Sequence, residues 1–326
     1  MSHVSRRGLP AAIIVFLVVN LLAIVIALAF GAVDIRWSDL FERNETALTI
    51  VLRIRLPRVV LAGLVGATLA VAGLTFQTLL RNPLADPFIL GVSGGAACGA
   101  AVTTALGLGR YPGVVSLASF AGACAAIAGV LLLAQRRRHV EPARLILAGL
   151  VLNAFFTALI LISLAMIRGS DLAAALRWMM GTFFSATWND VALLAMVLLL
   201  SYLLLRFIAS DLRLLAFGED DARSRGVDTE RVKLAAFIVG SLATGAAVAV
   251  SGIIGFVGLL VPHAIRLIWR FDFRGLLPLS ALGGAALLML ADAASRTVIA
   301  PAELPIGALT AILGVPFFLL ILRRAA

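Results

Sequence analysis

Residues Asp211–Lys233, with the sequence DLRLLAFGEDDARSRGVDTERVK, form the longest charge-dense interval in an otherwise apolar chain. Long hydrophobic segments lie on both sides, so we predict a water-exposed loop of a membrane protein. The apolar run that ends at Phe217 meets Gly218, which breaks or caps a helix. The three acidic residues that follow suit the positive N-terminal end of a second short helix, which would end at Gly226. This pattern indicates either a folded docking surface or a solvated loop that follows the positive-inside rule.

The composition also indicates a membrane protein. Hydrophobic residues make up 62% of the chain and charged residues 13%, with a mean hydropathy of +1.09, whereas soluble domains have about 25% charged residues. The net charge is +10, but the basic residues lie between apolar runs, so topology explains them better than nucleic-acid binding. Cys98 and Cys124 fall inside apolar segments without CxxC spacing, so neither a disulfide nor a zinc site is predicted.

Ten apolar segments predict an all-α polytopic membrane protein. The spans cover approximately residues 10–33, 57–80, 88–106, 114–134, 145–167, 191–208, 234–250, 253–269, 276–294 and 306–322. The amphipathic stretch Arg168–Asp190 is too short and polar to cross, and we interpret it as an interfacial or re-entrant helix. An even number of spans puts both termini on one side. With the termini in the cytoplasm, most of the 27 Lys and Arg residues, and the loop Asp211–Lys233, are also cytoplasmic.

Several arginines remain on the predicted outer side, against the charge rule. Arg53, Arg55 and Arg58 crowd the entrance of the second span, and Arg296 lies at the outer end of the ninth, just before Glu303. A single arginine there is best explained by snorkelling to lipid headgroups. The clustering of three favours a docking surface for an acidic partner, because arginine pairs with carboxylates in a specific, bidentate geometry.

Residue sets for catalysis are scarce. His263 has no second ligand at metal-binding spacing, so we expect a packing or helix-breaking role. Asp292 is an intramembrane carboxylate, and an i,i+4 pair with Arg296 is its simplest explanation. The sequence contains no GK[ST], hence no Walker A motif. We therefore expect no enzymatic activity and no bound cofactor in this chain, and ATP with magnesium would be used by another subunit.

Long motifs along the chain carry a family resemblance. They are RLPR at Arg55–Arg58, GATLAVAGLTFQTLLRNPLADPFILGVSGGA at Gly66–Ala96, WMMG at Trp178–Gly181, GEDDARSRGV at Gly218–Val227, SGIIGFVGLLVPHAIRL at Ser251–Leu267, and AELPIGALTAILGVPFF at Ala302–Phe318. With these motifs the chain resembles the permease subunits of type II ABC importers for iron–siderophore, haem and vitamin B12.

The resemblance implies an assembly. The expected fold is like that of a vitamin B12 permease, with ten helices in a single permease domain over residues 1–326. The expected partners are a second copy of the chain, two cytoplasmic ATPase subunits and a periplasmic substrate-binding protein. The expected location is the bacterial inner membrane, with both termini in the cytoplasm and no role for nucleic acid.

The resemblance also implies two sets of site residues. Coupling helices at about 211–230 would contact the ATPase, and the outer arginines would receive glutamates from the binding protein. The ATPase-coupling residues are Leu215, Gly218, Glu219, Asp220, Asp221, Ala222, Arg223 and Gly226. The docking residues are Arg55, Arg58 and Arg296.

The leading hypothesis is an importer permease that moves an iron–siderophore chelate from periplasm to cytoplasm. Vitamin B12 and haem are alternative cargoes. A secondary transporter is the alternative class, and it would be favoured by inverted repeats, paired broken helices and several intramembrane carboxylates. Asp292 is the one acidic residue that lies clearly within a predicted span. A membrane-embedded enzyme has no nucleophile–base pair to support it.

Overall fold

The structure is a computed structural model that describes residues 8–31, 45–136, 139–167, 169–269, 271–300 and 302–325. Its helices are α1 Leu9–Ala29, α2 Glu45–Leu79, α3 Val92–Ala105, α4 Pro112–Ala134, α5 Pro142–Met166, α6 Ser170–Met179, α7 Trp188–Phe207, α8 Ala209–Phe217, α9 Glu219–Ser224, α10 Thr229–Ser251, α11 Val257–Ile268, α12 Phe273–Thr297 and α13 Ile306–Ala325. A 3₁₀ turn, Pro87–Leu90, precedes α3, and the two-residue strands Gln135–Arg136 and His139–Val140 pair antiparallel. The all-α prediction is confirmed.

Each predicted span corresponds to a helix. Among the described residues, α1, α2, α4, α5, α7, α10 and α12 are long and apolar enough to cross a bilayer. Of the other three, α3 and α11 have only 14 and 12 residues, against the ~20 that a complete crossing needs. Helix α13 reaches 20 residues. The amphipathic stretch after α5 contains the ten-residue helix α6.

Helix α2 is the centre of the bundle. In its most apolar window 89% of the residues are buried, against 22% in α1 and in α7, which present large apolar side chains outward. Glycines let its neighbours approach closely, as is common where membrane helices pack. A Cβ added at Gly66 would overlap the Gly284 carbonyl of α12, and one added at Gly73 would overlap the backbone of Gly258 in α11.

Three non-helical segments meet at one end of the bundle. They follow α6, α10 and α12. Thr182 N donates to Ser251 O at 2.8 Å, and Ile306 N donates to Gly181 O at 3.2 Å. Non-helical backbone at membrane depth is tolerated where protein buries it or where it lines a cavity. Gly252 in the second segment has φ +70°, and a Cβ there would overlap Trp178 O.

Candidate functional site

Arg58, Asp292, Arg296 and Glu303 form an ionic cluster where α2 and α12 meet at that end of the bundle. Arg58 Nε donates to Asp292 Oδ1 at 2.9 Å, and Arg58 Nη2 lies 2.8 Å from the same oxygen. Arg58 Nη1 and Nη2 donate to the two carboxylate oxygens of Glu303 at 2.8 and 2.9 Å. The side chains of Arg58, Asp292 and Glu303 are 8%, 0% and 29% exposed. Arg58 therefore joins one fully buried carboxylate to one accessible carboxylate.

Two arginines also hold the last turn of α1. Arg296 Nη2 donates to Ala27 O at 3.0 Å, and Arg55 Nη1 donates to Leu28 O at 2.7 Å. The last carbonyls of a helix have no intrahelical donors and carry partial negative charge, so arginines suit this position. Arg296 Nε lies 3.1 Å from Asp292 Oδ2, which confirms the i,i+4 pair. Its N–H is aligned with the Asp292 carbonyl at 3.3 Å, so Oδ2 accepts no hydrogen bond from the described residues.

The three predicted docking arginines are buried in this single chain. Arg55, Arg58 and Arg296 are 5%, 6% and 4% exposed, whereas Arg53 on the same turn is exposed. The structure brings Arg58 and Arg296 together on Asp292, and it gives all three arginines partners within the chain. The pairing of Arg58 with Glu303 was not expected, because the 245 residues between them leave no local signal in the sequence.

A short segment connects the ionic cluster to the rest of this end. Ser295 and Leu304 exchange two hydrogen bonds, Ser295 Oγ to Leu304 O at 2.5 Å and Leu304 N to Ser295 O at 3.0 Å. Gly307 N donates to Met180 O at 3.1 Å, next to the bond between Ile306 N and Gly181 O. Residues 302–307 therefore join the cluster to the WMMG turn.

The same segment lines a cavity of about 1570 Å³. Small residues of α3, α6 and α10 and hydroxyl groups make up much of the wall, together with Trp178 and Met179. Charged side chains of both signs also line it, namely Arg110, Asp171, Arg177, Asp190 and Glu303. In the described ranges no three His, Cys, Asp or Glu side chains are grouped to hold a metal ion. The cavity can therefore accept a large, partly apolar molecule without coordinating a metal.

The opposite end carries the charge-dense segment, which is folded as predicted. Helix α8 ends at Phe217, α9 begins after Gly218, and Gly226 has φ +83°, a conformation that favours glycine. We call residues 209–228 the coupling loop. Leu215 and Ala222 are 3% and 0% exposed, so they support the loop from inside. Its accessible surface includes Phe217 and the exposed members of the predicted coupling set, which are Asp220, Asp221, Arg223 and Gly226.

A network of ion pairs fastens α9 to α10. Glu219 lies 2.6 Å from Arg223 and 3.1 Å from Lys233, and Lys233 lies 2.7 Å from Glu230. The Lys233 side chain is only 4% exposed. A buried ammonium is costly without partners, and two carboxylates supply them. The segment is therefore folded against α10, and its role in docking stays a prediction.

Within the bundle, two polar residues that were not predicted from the sequence to be functional connect α2 to α11. Gln77 Nε2 donates to Gly258 O at 3.1 Å, and Arg266 Nη1 donates to Gln77 Oε1 at 2.8 Å. His263 lies against the rings of Phe317 and Phe318, with centroids 6.2 and 6.0 Å away. The packing role predicted for His263 is confirmed.

These features define a multi-pass membrane protein with a large cavity at one end and a folded loop at the other. The chain belongs to the FecCD transport family, whose model matches residues 17–324. It is 44% identical to the cobalamin import system permease BtuC of Halobacterium salinarum, over 87% of this chain and 76% of that protein. It is 39% identical to the hemin transport system permease HmuU of Yersinia pestis, over 98% of each chain. The iron(3+)-hydroxamate import system permease FhuB of Bacillus subtilis is 38% identical, over 92% of this chain and 79% of that protein.

A solved structure shares the fold. A metal-chelate type ABC transporter in an inward-facing conformation superposes with a TM-score of 0.86 at 28% identity, covering 97% of this chain and 99% of that one. The predicted resemblance is thereby confirmed. The chain is an ABC importer permease, a transport subunit of a class in which separate ATPases hydrolyse ATP, so the secondary-transporter alternative is not supported.

Proposed function

We propose that the chain, as a single permease domain, carries an iron–siderophore chelate from the periplasm to the cytoplasm. The cavity is the observation that supports this cargo. Its volume of about 1570 Å³ exceeds the ~300–1,000 Å³ of ordinary ligand pockets. Because the described residues offer no metal-ligand cluster, the metal would travel inside its chelator. A wall in which small apolar residues and hydroxyls predominate over charged side chains would bind such a molecule weakly, which suits transit.

Vitamin B12 and haem are the second candidates. Relatives named for cobalamin and hemin import match most of the chain at 44% and 39% identity, no lower than the relative named for iron(3+)-hydroxamate. Like ferric siderophores, both are bulky metal complexes whose metal is already coordinated.

An uptake assay compares these cargoes. The permease, its ATPase and its binding protein are reconstituted in proteoliposomes and offered a ferric hydroxamate, cobalamin or haem at equal concentration. We expect ATP-dependent uptake of the ferric hydroxamate, and none with an ATPase variant that lacks the Walker A lysine. Preferential uptake of cobalamin or haem would identify that molecule as the cargo instead. Uptake that is independent of ATP would reject the proposal of an ATP-driven importer.

The assembly we propose is a homodimer with two ATPase subunits below it and a binding protein above it. The coupling loop would contact the ATPase through its exposed residues, with Asp220 and Asp221 at the start of α9. Leu215 and Ala222 would act indirectly, because they are buried. A bulky change at Ala222 is therefore expected to disturb the loop itself, whereas Asp221→Lys tests the contact.

We also propose that both termini and the coupling loop are cytoplasmic, in a bacterial inner membrane. Cysteine labelling tests this orientation in a chain whose two native cysteines are replaced. Asp220→Cys should react with an impermeant maleimide only in inverted vesicles, and Arg110→Cys only in intact spheroplasts. Both side chains are exposed. The reverse pattern would invert the topology.

Docking of the binding protein on Arg55, Arg58 and Arg296 is the last part of the proposal. A carboxylate of the partner would have to reach guanidinium groups that this chain largely covers, and Arg58 is the nearest to solvent through Glu303. Truncating one member of a charge pair that is buried on docking costs about 2–5 kcal/mol of binding. We therefore expect Arg58→Ala to weaken capture of the binding protein by at least about tenfold. Unchanged affinity at low and physiological salt would reject docking at Arg58.

A further inference from the structure

Glu303 covers the guanidinium of Arg58, whose side chain is 8% exposed. Arg58 is paired with two carboxylates, and these differ in their exposure to solvent. Asp292 is fully buried on α12, whereas the Glu303 side chain is 29% exposed. Both terminal nitrogens of Arg58 already donate to Glu303 in a bidentate pair. An incoming carboxylate of the same geometry has no free donor edge on Arg58 until Glu303 leaves.

We propose that Glu303 is an internal substitute for the carboxylate of the docking protein, and that docking exchanges one for the other on Arg58. This inference rests on the proposed docking function. The exchange conserves the charge around Arg58, because one carboxylate replaces another. It leaves the buried contact between Arg58 and Asp292 in place, so the bundle keeps its packing while the surface residue changes partner.

The exchange has a structural consequence, because Glu303 lies in the segment that lines the cavity. Leu304, next in the chain, bonds to Ser295, and the following residues bond to the WMMG turn through Ile306 and Gly307. When Glu303 leaves Arg58, residues 302–307 lose their anchor to α2 but keep those to α12 and to Met180 and Gly181. Docking would therefore loosen one wall of the cavity where cargo enters.

Affinity measurements test whether the docking protein's carboxylate replaces Glu303 on Arg58. The permease in nanodiscs is titrated with the substrate-binding protein encoded beside it, using the parent chain, Glu303→Gln, Glu45→Gln and Arg58→Ala. Glu45→Gln is the matched control, because Glu45 is an exposed carboxylate on the same α2 helix outside the cluster. Freeing Arg58 from its internal carboxylate should tighten binding about tenfold in Glu303→Gln. The control should bind like the parent, and Arg58→Ala should bind more weakly.

The outcomes separate the two proposals. If Arg58→Ala binds like the parent, docking at Arg58 is rejected, and the proposed exchange of carboxylates on Arg58 is rejected as well. If Arg58→Ala weakens binding while Glu303→Gln binds no tighter than the parent, docking stands and the role of Glu303 is rejected.

A second measurement does not depend on the folding of the Gln variant. A spin label at Ala302→Cys, an exposed position next to Glu303, should become more mobile when the binding protein docks on a chain that keeps Glu303. A label at Val298→Cys, an exposed position directly after the last turn of α12, should not change. Equal mobility at residue 302 before and after docking overturns the exchange.

Discussion

Removing the carboxylate of Asp292 should destabilise the permease more than any other single change in the ionic cluster. Asp292 is fully buried and lies 2.8 Å from Arg58 Nη2 and 3.1 Å from Arg296 Nε. At an effective dielectric constant of about 20, unit charges ~3 Å apart attract by roughly 5–6 kcal/mol. Desolvation offsets much of this attraction while the pairs are intact. Asp292→Ala leaves two guanidiniums buried without it, and breaking such pairs costs about 3–5 kcal/mol.

Thermal unfolding of the purified permease in one detergent measures this effect. We expect the apparent Tm of Asp292→Ala to fall by at least about 5 °C, with a smaller loss for Glu303→Ala, because Glu303 is partly exposed and solvent replaces it. The double variant Asp292→Leu with Arg296→Met should recover part of the loss, since it removes one charge of each sign. An Asp292→Ala variant with the Tm and transport rate of the parent would refute the assignment of a buried charge network.

Two further predictions concern packing and pH. Gly66→Ala should destabilise the bundle by about 1–3 kcal/mol, because its Cβ would overlap Gly284 O; Gly113→Ala, where a Cβ meets nothing within 4 Å, is the control, and equal Tm values for the two would contradict the close contact. Asp86 is buried in the turn after α2, and burial raises its pKa from 3.8 to about 6. Ionisation of this carboxyl therefore lowers the free energy of unfolding as pH rises from about 4 to about 6, and the loss stays constant above that pH. Asp86→Asn, which can still accept the hydrogen bond from Phe88 N, should gain stability relative to the parent over that interval, by about 1–3 kcal/mol at pH 7.5; a difference that does not change between pH 4.5 and 7.5 would reject the raised pKa.

The positions of the helices could be predicted from the sequence, because lipid imposes a strong one-dimensional constraint. Apolar runs located every span, and glycine with acidic residues located α8 and α9. The short helices α3 and α11 could not be distinguished from full crossings. Nor could the start of α13 be predicted, because it is set by a backbone contact between distant segments, Ile306 N with Gly181 O.

The structure brings predicted arginines together in a geometry that the sequence did not specify, and their docking role stays a prediction. An outer arginine cluster was expected from the charge rule, and the Asp292–Arg296 pair from i,i+4 spacing. Burial of the arginines was not expected, because it depends on the return of Glu303 to Arg58 across 245 residues. Likewise, the burial of Ala222 follows from how the coupling loop folds against the bundle, which local sequence does not specify.

Helix α12 connects the two functional ends, and its two attachments differ in strength. Its 25 residues extend over about 37 Å. At the cavity end, Asp292 contacts Arg58 and Arg296 out of solvent. At the other end, Asp272 and Arg213 are 3.4 Å apart with side chains 36% and 49% exposed, and exposed pairs of this kind contribute only about 0–1 kcal/mol. Separating α8 from α12 therefore costs little in this ion pair, whereas separating α2 from α12 would break the buried pairs of the ionic cluster.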